Sequence, residues 1–183
     1  MSKPGISGAE LVCATLTRAG IDCVFGLPGT QTTGLYEALR RAPLRSVVAT
    51  HELSAAMMAN GYYRASGRLA ALLTIPGPGF TWALTGLAEA TLDSAALLHL
   101  TMQPARSPGQ QFQLQALDQA AIAGPLSKGQ YHVDHAADIP AALAAAHAQA
   151  GAGEPGPVLV QFGRDALRES APPADVARPS SPP

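Results

Sequence analysis

The sequence carries little charge. Only 14% of its 183 residues are Asp, Glu, Lys or Arg, and the formal net charge is -1 at pH 7. No cluster of Lys and Arg supplies the positive surface that nucleic-acid binding requires, so we expect no nucleic-acid partner. Apolar residues make up 47% of the chain. So much apolar and so little charged content predicts a soluble domain that hides part of its exterior against another protein.

Long apolar runs and paired cysteines are also missing. The strand-sized run from Leu69 to Ile75 ends at Pro76, far short of the roughly 20 residues that span a membrane, so we expect no membrane segment. The two cysteines, Cys13 and Cys23, form no CxxC pair and lie in apolar patterns. Such patterns favour reduced core thiols, and no leader pattern is recognised at the start, so the expected location is the cytoplasm.

Common catalytic signatures are absent too. The sequence has neither a GxSxG nucleophile motif nor a GxxxxGK[ST] phosphate loop. His132 and His135 lack a third ligand nearby, so we expect no metal site in this chain. Any chemistry has to come from the polar residues of its turns.

What the sequence does contain is a regular alternation of helical patterns and apolar strands. Ser7 and Glu10 form a capping-box pattern before the first helix, and Gly20 is placed to end it. Continuous apolar strands that alternate with helices predict a three-layer α/β/α fold with a mostly parallel, roughly six-stranded sheet. The predicted strands cover residues 23–25, 47–49, 70–75, 97–102, 131–133 and 158–162, and the predicted helices lie near residues 9–19, 35–39, 53–64, 83–90, 117–121 and 139–150.

One domain is expected over residues 1–168, with a polar loop at residues 103–113. From Ala171 onward Pro, Ser and Ala dominate, and a segment with so little apolar content cannot pack. Residues 169–183 are therefore predicted to form a flexible tail or linker.

Ligands of an open parallel sheet bind beyond the carboxyl ends of its strands. Turns at residues 26–30, 50–52 and 77–79 lie there, and only the second carries an acid, Glu52. One explanation is local, because an acid in the first turn of a helix stabilises the helix dipole by about 0.3–1 kcal/mol. If Thr50 caps this helix, Leu53 occupies the capping-box position, so Glu52 is not the reciprocal cap.

The residues that follow Glu52 are small and apolar, which suits a helix pressed against another surface. A partner chain at that surface would bury the carboxyl group, and burial favours the neutral form, which donates a hydrogen bond. The glycine turns are weaker signals. Gly77 and Gly79 resemble the start of a dinucleotide-binding fingerprint, but Trp82 stands where its third glycine would be, which disfavours a nucleotide-binding Rossmann module.

Together these turns resemble one family. The segments that carry the resemblance are VFGLPG at 24–29, THELSAAMMANGYYRASG at 50–67, GPGFT at 77–81 and TGLAEATLDS at 85–94. They are similar to the N-terminal, pyrimidine-binding domain of thiamine diphosphate enzymes such as acetolactate synthase, pyruvate oxidase, benzaldehyde lyase and several 2-oxo acid decarboxylases. The resemblance extends to about residue 167.

The resemblance implies a role for each matching residue. The glutamate is expected to donate a hydrogen bond to the pyrimidine ring nitrogen and to favour the imino tautomer of the cofactor, which then removes the proton from the thiazolium carbon. The residues implied at the cofactor are Glu52, Pro28, Gly29, Gly77, Pro78 and Gly79, and those implied on the substrate side are Thr30, His51, Phe80 and Gln115.

Two departures from the family pattern bear on function. Trp82 stands where acetolactate synthases usually have Asn, which alters the pocket wall. The GDG motif with which relatives bind magnesium and the diphosphate does not occur in the sequence. The resemblance therefore implies thiamine diphosphate as the cofactor, with Mg²⁺ bound by a separate subunit that carries a GDG motif.

The expected function is that of the pyrimidine-binding subunit of a two-component enzyme, similar in layout to sulfopyruvate decarboxylase. Its substrates would be small 2-oxo acids or aldehydes, its reaction decarboxylation or carboligation, and its assembly a heterotetramer or larger. Alternatively, the chain is the N-terminal domain of a longer enzyme. A non-catalytic module that keeps the fold for assembly or regulation is the alternative from another class.

Overall fold

The computed structural model describes residues 5–103, 112–163 and 165–171. The residues 104–111 of the predicted polar loop and 172–183 of the predicted tail lie outside the described residues. The strands are β1 (Ile6–Ser7), β2 (Cys23–Gly26), β3 (Arg45–Val48), β4 (Ala70–Thr74), β5 (Leu97–Met102), β6 (Gly129–Val133), β7 (Pro157–Phe162) and β8 (Ser170–Ala171). The helices are α1 (Gly8–Arg18), α2 (Thr33–Arg41), α3 (Glu52–Ser66), α4 (Pro78–Leu92), α5 (Gln119–Ala123) and α6 (Ile139–Gly151).

Strands β2 to β7 form one sheet in the order β3-β2-β4-β5-β7-β6, and every pairing in it is parallel. Helices α1, α2 and α6 contribute to the core on one face, and helices α3 and α4 to the core on the other. The predicted three-layer α/β/α fold is confirmed. Strands β4, β5 and β7 are buried along their whole length, as expected for strands covered on both faces.

The first helix begins as the sequence predicts. The Oγ of Ser7 accepts a hydrogen bond from the backbone N–H of Glu10 at 3.3 Å, and the Glu10 carboxylate accepts one from the backbone N–H of Ser7 at 2.9 Å. These hydrogen bonds from Ser7 hold the pKa of Glu10 below its usual range. This capping box satisfies two backbone donors that the start of a helix leaves free.

A small antiparallel sheet of β1 and β8, absent from the sequence prediction, anchors the start of α1. The backbone N–H of Gly8 donates to the carbonyl of Glu169 at 2.9 Å, and that of Ala9 donates to the carbonyl of Leu167 at 3.0 Å. The domain boundary predicted at residue 168 stays a prediction, with β8 just beyond it. Within the described residues, no helix is long and apolar enough to cross a bilayer.

Strand β5 carries a histidine at the centre of the sheet. His99 is 1% exposed, and its Nε2 lies 2.9 Å from the Oγ1 of Thr74 on the neighbouring strand β4. Burial lowers the pKa of His99 to about 3, so its imidazole stays neutral across the physiological range.

This neutral imidazole should make the stability of the fold depend on pH. Between the ordinary pKa of 6.5 and a pKa of about 3, the unfolded chain binds a proton at His99 that the folded chain does not. The free energy of unfolding should therefore fall as the pH drops below 6.5, by at most about 1.4 kcal/mol per pH unit from this group.

Replacing His99 by Leu should flatten that slope in urea unfolding measured at successive pH values. The control is Leu100→Val, an apolar change in the same strand, which should lower the free energy of unfolding by a similar amount at every pH. A slope that survives His99→Leu unchanged would contradict a neutral, water-excluded ring.

Candidate active site

The sheet order brings the glycine turns and the acidic turn together. Because β3, β2 and β4 are neighbours and parallel, their carboxyl ends lie side by side at one edge of the sheet. The turns that follow these three strands lead into α2, α3 and α4. Nearly all of the residues that the sequence predicts for the site lie in these turns or in the first turn of the helix that follows.

Glu52 is the first residue of α3 and is only 3% exposed. Its Oε2 is buried and has no hydrogen-bond partner. Its Oε1 lies 3.0 Å from the position that a Cβ on Gly79 would take, so the carboxyl group faces the turn before α4. The expectation that a partner chain buries this group is corrected here, because the chain's own residues already exclude water from it.

The N-cap of α3 explains why the carboxyl group of Glu52 is not needed to cap the helix. The N-cap is His51, not Thr50, and the Nδ1 of His51 accepts the backbone N–H of Leu53 at 3.1 Å. A side chain other than Glu52 therefore satisfies an orphan donor at the start of α3. Complementing the helix dipole needs no burial, so a dipole role alone does not account for an acid held out of water.

The turn before α4 depends on its glycines. Gly77 has a φ of +68°, in the left-handed region, and a Cβ there would lie 2.8 Å from the Cα of Gln115. A Cβ on Gly79 would lie 2.6 Å from Cγ1 of Ile75, and one on Gly29 would lie 2.5 Å from Cγ2 of the same side chain. Ile75 thus fills the space between the two glycine turns. Each turn can approach it so closely only because Gly29 and Gly79 have no side chain.

The substrate-side predictions separate into two groups. Thr30 and His51 are exposed at this edge, and the ring of His51 stacks on Trp82 with centroids 5.3 Å apart. Gln115 lies against Gly77, and its Oε1 accepts a hydrogen bond from the amide of Gln31. Phe80, in contrast, is fully buried, so its ring belongs to the core and has no access to a ligand at the edge. At the cofactor side, Pro28 is exposed and Pro78 is the first residue of α4.

Two further side chains at this edge escaped the sequence prediction. The hydroxyl of Tyr36 is buried without a partner, 2.6 Å from the position that a Cβ on Gly26 would take. Burial raises the pKa of Tyr36, and a negative charge on Glu52 raises it further. The amide of Gln119 is buried, and its Oε1 accepts the backbone N–H of Gly77 at 3.2 Å. In the sequence, Tyr36 is indicated only by Gly26 at the end of a buried strand. No sequence pattern indicates Gln119.

Comparison with known proteins agrees with this geometry. A family model described as "Thiamine pyrophosphate enzyme, N-terminal TPP binding domain" matches residues 6–122. The chain belongs to this family. Its fold is therefore that of the N-terminal domain of a thiamine diphosphate enzyme.

Curated relatives of this thiamine diphosphate enzyme domain are acetolactate synthases. The large subunit from Lactococcus lactis subsp. lactis (strain IL1403) is 36% identical over 166 residues, which cover 90% of this chain and 29% of that protein. The isozyme 3 large subunit from Escherichia coli (strain K12) is 38% identical over 163 residues, 88% of this chain and 28% of that protein. Acetolactate synthase from Arthrospira platensis is 34% identical over 164 residues, 87% of this chain and 28% of that protein. The chain thus spans less than a third of the length of these relatives.

The residues at the edge fit the aminopyrimidine of thiamine diphosphate. A ring nitrogen needs a single hydrogen-bond partner, and the Oε2 of Glu52 is a buried polar atom without one. Gly29 and Gly79 both pack against Ile75, and Gly79 also lies beside the carboxyl group, so an apolar side chain borders the acid. No group of three or more His, Cys, Asp or Glu that could hold a metal ion occurs among residues 5–103, 112–163 and 165–171.

The close approach of Gly79 to Glu52 gives a stability prediction. The Cβ of a Gly79→Ala variant would crowd Ile75 at 2.6 Å and the carboxyl group of Glu52 at 3.0 Å, so we expect a loss of about 1–3 kcal/mol in the free energy of unfolding. The matched control is Gly34→Ala in the first turn of α2, where a Cβ meets nothing within 4 Å. It should be neutral or stabilise by up to about 1 kcal/mol. Equal effects of the two changes in urea unfolding would contradict the packing of Gly79 on the acid.

Proposed function

We propose that the chain supplies the pyrimidine-binding half of a thiamine diphosphate-dependent enzyme, and that Glu52 activates the cofactor. The enzyme acts on small 2-oxo acids or aldehydes by decarboxylation or carboligation. The observation that carries the proposal is the buried carboxyl group of Glu52, whose Oε2 has no partner in the chain. The family match and the acetolactate synthase relatives support the same reading.

Glu52 acts in this proposal as a positioned proton donor. In its protonated form the carboxyl group donates a hydrogen bond to the pyrimidine ring nitrogen. When bound, thiamine diphosphate supplies the carbon nucleophile that adds to the carbonyl of the substrate. The chain contributes the acid and Ile75, the apolar side chain that lies between Gly29 and Gly79.

A second protein unit must complete the site. The sequence has no GDG motif and no phosphate loop, so the diphosphate and its Mg²⁺ are held by a separate subunit or by further residues of a longer chain. The relatives, more than three times as long as the matched region, leave room for such a unit. As a two-component enzyme it would assemble as a heterotetramer or larger. A cytoplasmic setting fits the two free, buried cysteines, Cys13 and Cys23.

The surface where the partner docks is the α3–α4 face, which we define by Met57, Met58 and Trp82. These large apolar side chains are 39%, 44% and 55% exposed. The two helices pack closely, since a Cβ on Gly86 would lie 2.4 Å from the Cβ of Ala56. Trp82 stacks on His51, the neighbour of Glu52, so this face borders the acid. Large apolar residues grouped at a functional edge are typical of a protein interface.

The proposed role of Glu52 predicts that replacing its carboxyl group by an amide slows catalysis. In the complex with the GDG-bearing partner, Glu52→Gln should slow turnover of 2-oxo acids at least about 100-fold, the scale of a positioned proton donor. It should equally slow the exchange of the thiazolium C2 proton into D2O, followed by NMR. Glu89→Gln, an exposed acid on α4, is the control and should leave both rates unchanged. Full activity after Glu52→Ala would instead favour a non-catalytic assembly module.

The α3–α4 face predicts a spectroscopic change on assembly. Trp82 is the single tryptophan of the chain, so 5-fluorotryptophan labelling gives one ¹⁹F resonance from this face. Adding the partner should shift that resonance and remove its sensitivity to solvent D2O. Met58→Glu should weaken assembly, because it places a charge in the buried contact. Leu92→Glu, at the far end of α4, should not. A resonance that ignores the partner would exclude this face as the docking surface.

A further inference from the structure

We propose that His99 is a positioning residue that fixes both ends of the turn from Ile75 to Gly79. This turn lies against Glu52, so its placement sets the position of Gly79 beside the carboxyl group. The inference rests on the proposed function, because that position matters for catalysis only if the pyrimidine binds there. His99 itself lies within strand β5, below the turn, and would touch neither cofactor nor substrate.

The first contact of His99 is with the residue just before the turn. Thr74 ends strand β4, and its Oγ1 lies 2.9 Å from the Nε2 of His99. The two side chains are 0% and 1% exposed, so no water competes for this hydrogen bond. Thr74 pairs in register with Thr101, and His99 pairs with Leu72, so the bond runs diagonally between the two strands.

The second contact is with the residue just after the turn. Phe80 lies in the first turn of α4, and its ring stacks on the imidazole with centroids 5.5 Å apart and planes 6° apart. Phe80 is fully buried and packs with Ala123 and Leu159 in its own small core cluster. A single imidazole therefore holds the residues on both sides of the turn, one by its polar edge and the other by its face.

The turn combines rigid and unsupported positions, since Pro76 and Pro78 fix their own φ angles and Gly77 between them has no side chain to hold it. Gly77 has φ +68° and ψ -114°, a conformation that glycine can adopt because it has no Cβ. Its backbone N–H is held by Gln119 from outside the turn. A small displacement would move Ile75 away from Gly29 and Gly79 away from the carboxyl group of Glu52, since all of these groups are in close contact.

Histidine differs from the apolar residues around it in its hydrogen bond to Thr74. A leucine would leave the buried hydroxyl of Thr74 unpaired, whereas histidine pairs it through Nε2 and leaves its own buried Nδ1 without a partner. A charged ring would be equally unsuitable in the core. The neutral imidazole combines a hydrogen-bonding edge with an aromatic face, the two properties that the contacts with Thr74 and Phe80 require.

Two matched threonines separate positioning from simple core packing. Thr74 and Thr101 are register partners on adjacent strands, and both are 0% exposed. The Oγ1 of Thr74 contacts His99, whereas the Oγ1 of Thr101 has no hydrogen-bond partner. Thr74→Val and Thr101→Val each exchange one hydroxyl for a methyl of the same size, and only the first cuts the connection to the turn.

The first arm of the test uses the chain alone. Amide hydrogen exchange followed by NMR should show faster exchange of the Gly77 N–H, which Gln119 accepts, for Thr74→Val, by about five- to tenfold, the scale of one hydrogen bond. Thr101→Val should stay within about twofold of the parent chain. Equal protection in the two variants would overturn the positioning role.

The second arm uses the enzyme assembled with its diphosphate-binding partner. The dissociation constant for thiamine diphosphate should rise about five- to tenfold for Thr74→Val and for His99→Leu, but not for Thr101→Val. The double variant should be no worse than His99→Leu alone, because both changes break one connection. His99→Gln, which keeps a polar group, should recover part of the loss.

The outcomes distinguish this inference from the proposed function. If Glu52→Gln abolishes C2 proton exchange while all Thr74 and His99 variants bind the cofactor normally, the proposed function stands and His99 is only a core residue. If Glu52→Gln has no effect on C2 proton exchange, the proposed function fails, and amide exchange in the chain alone still decides whether the contact of His99 with Thr74 fixes the turn.

Discussion

The site depends on one carboxyl group that the chain removes from water without giving it a partner. Leaving a buried polar group unsatisfied costs about 1–3 kcal/mol, and more for a charged one. The Oε2 of Glu52 is in that position, and so is the neighbouring hydroxyl of Tyr36. A fold that tolerates two such groups at one edge keeps hydrogen-bonding capacity that a ligand can use.

The parallel sheet turns this local feature into a site. Three neighbouring strands end at the same edge, so turns far apart in the sequence come within contact of one another. His51 caps α3, so the carboxyl group of Glu52 does not have to accept a hydrogen bond from the start of the helix. Below the turns, a row of buried polar side chains crosses the sheet where β4, β5 and β7 end: Thr74, Thr101 and Gln161 are successive register partners. The amide of Gln119 connects Gln161 to the backbone of Gly77, so hydrogen bonds join one end of this row to the turn.

In the proposed function, the chain prepares half of a reaction centre and another protein unit supplies the other half. Its acid and its glycine turns are already ordered in the chain alone. Ordering them therefore does not reduce the free energy of assembly. The exposed apolar residues of the α3–α4 face and the low charge of the whole sequence are consistent with a surface made for contact. Membership of the thiamine diphosphate enzyme family gives this arrangement its chemical meaning.

The sequence by itself determined the layers of the fold and the place of the acid. Apolar strands that alternate with helices allow few arrangements other than a covered parallel sheet, and the capping box and turn glycines act over a few residues, where local geometry decides. Tertiary structure alone decided what surrounds the acid. That the chain buries Glu52 without a partner, that Phe80 stacks on His99 in the core, and that β1 pairs with β8 all depend on contacts between residues far apart in the sequence. Such contacts form only when the strands take their order in the sheet, and no local pattern encodes that order.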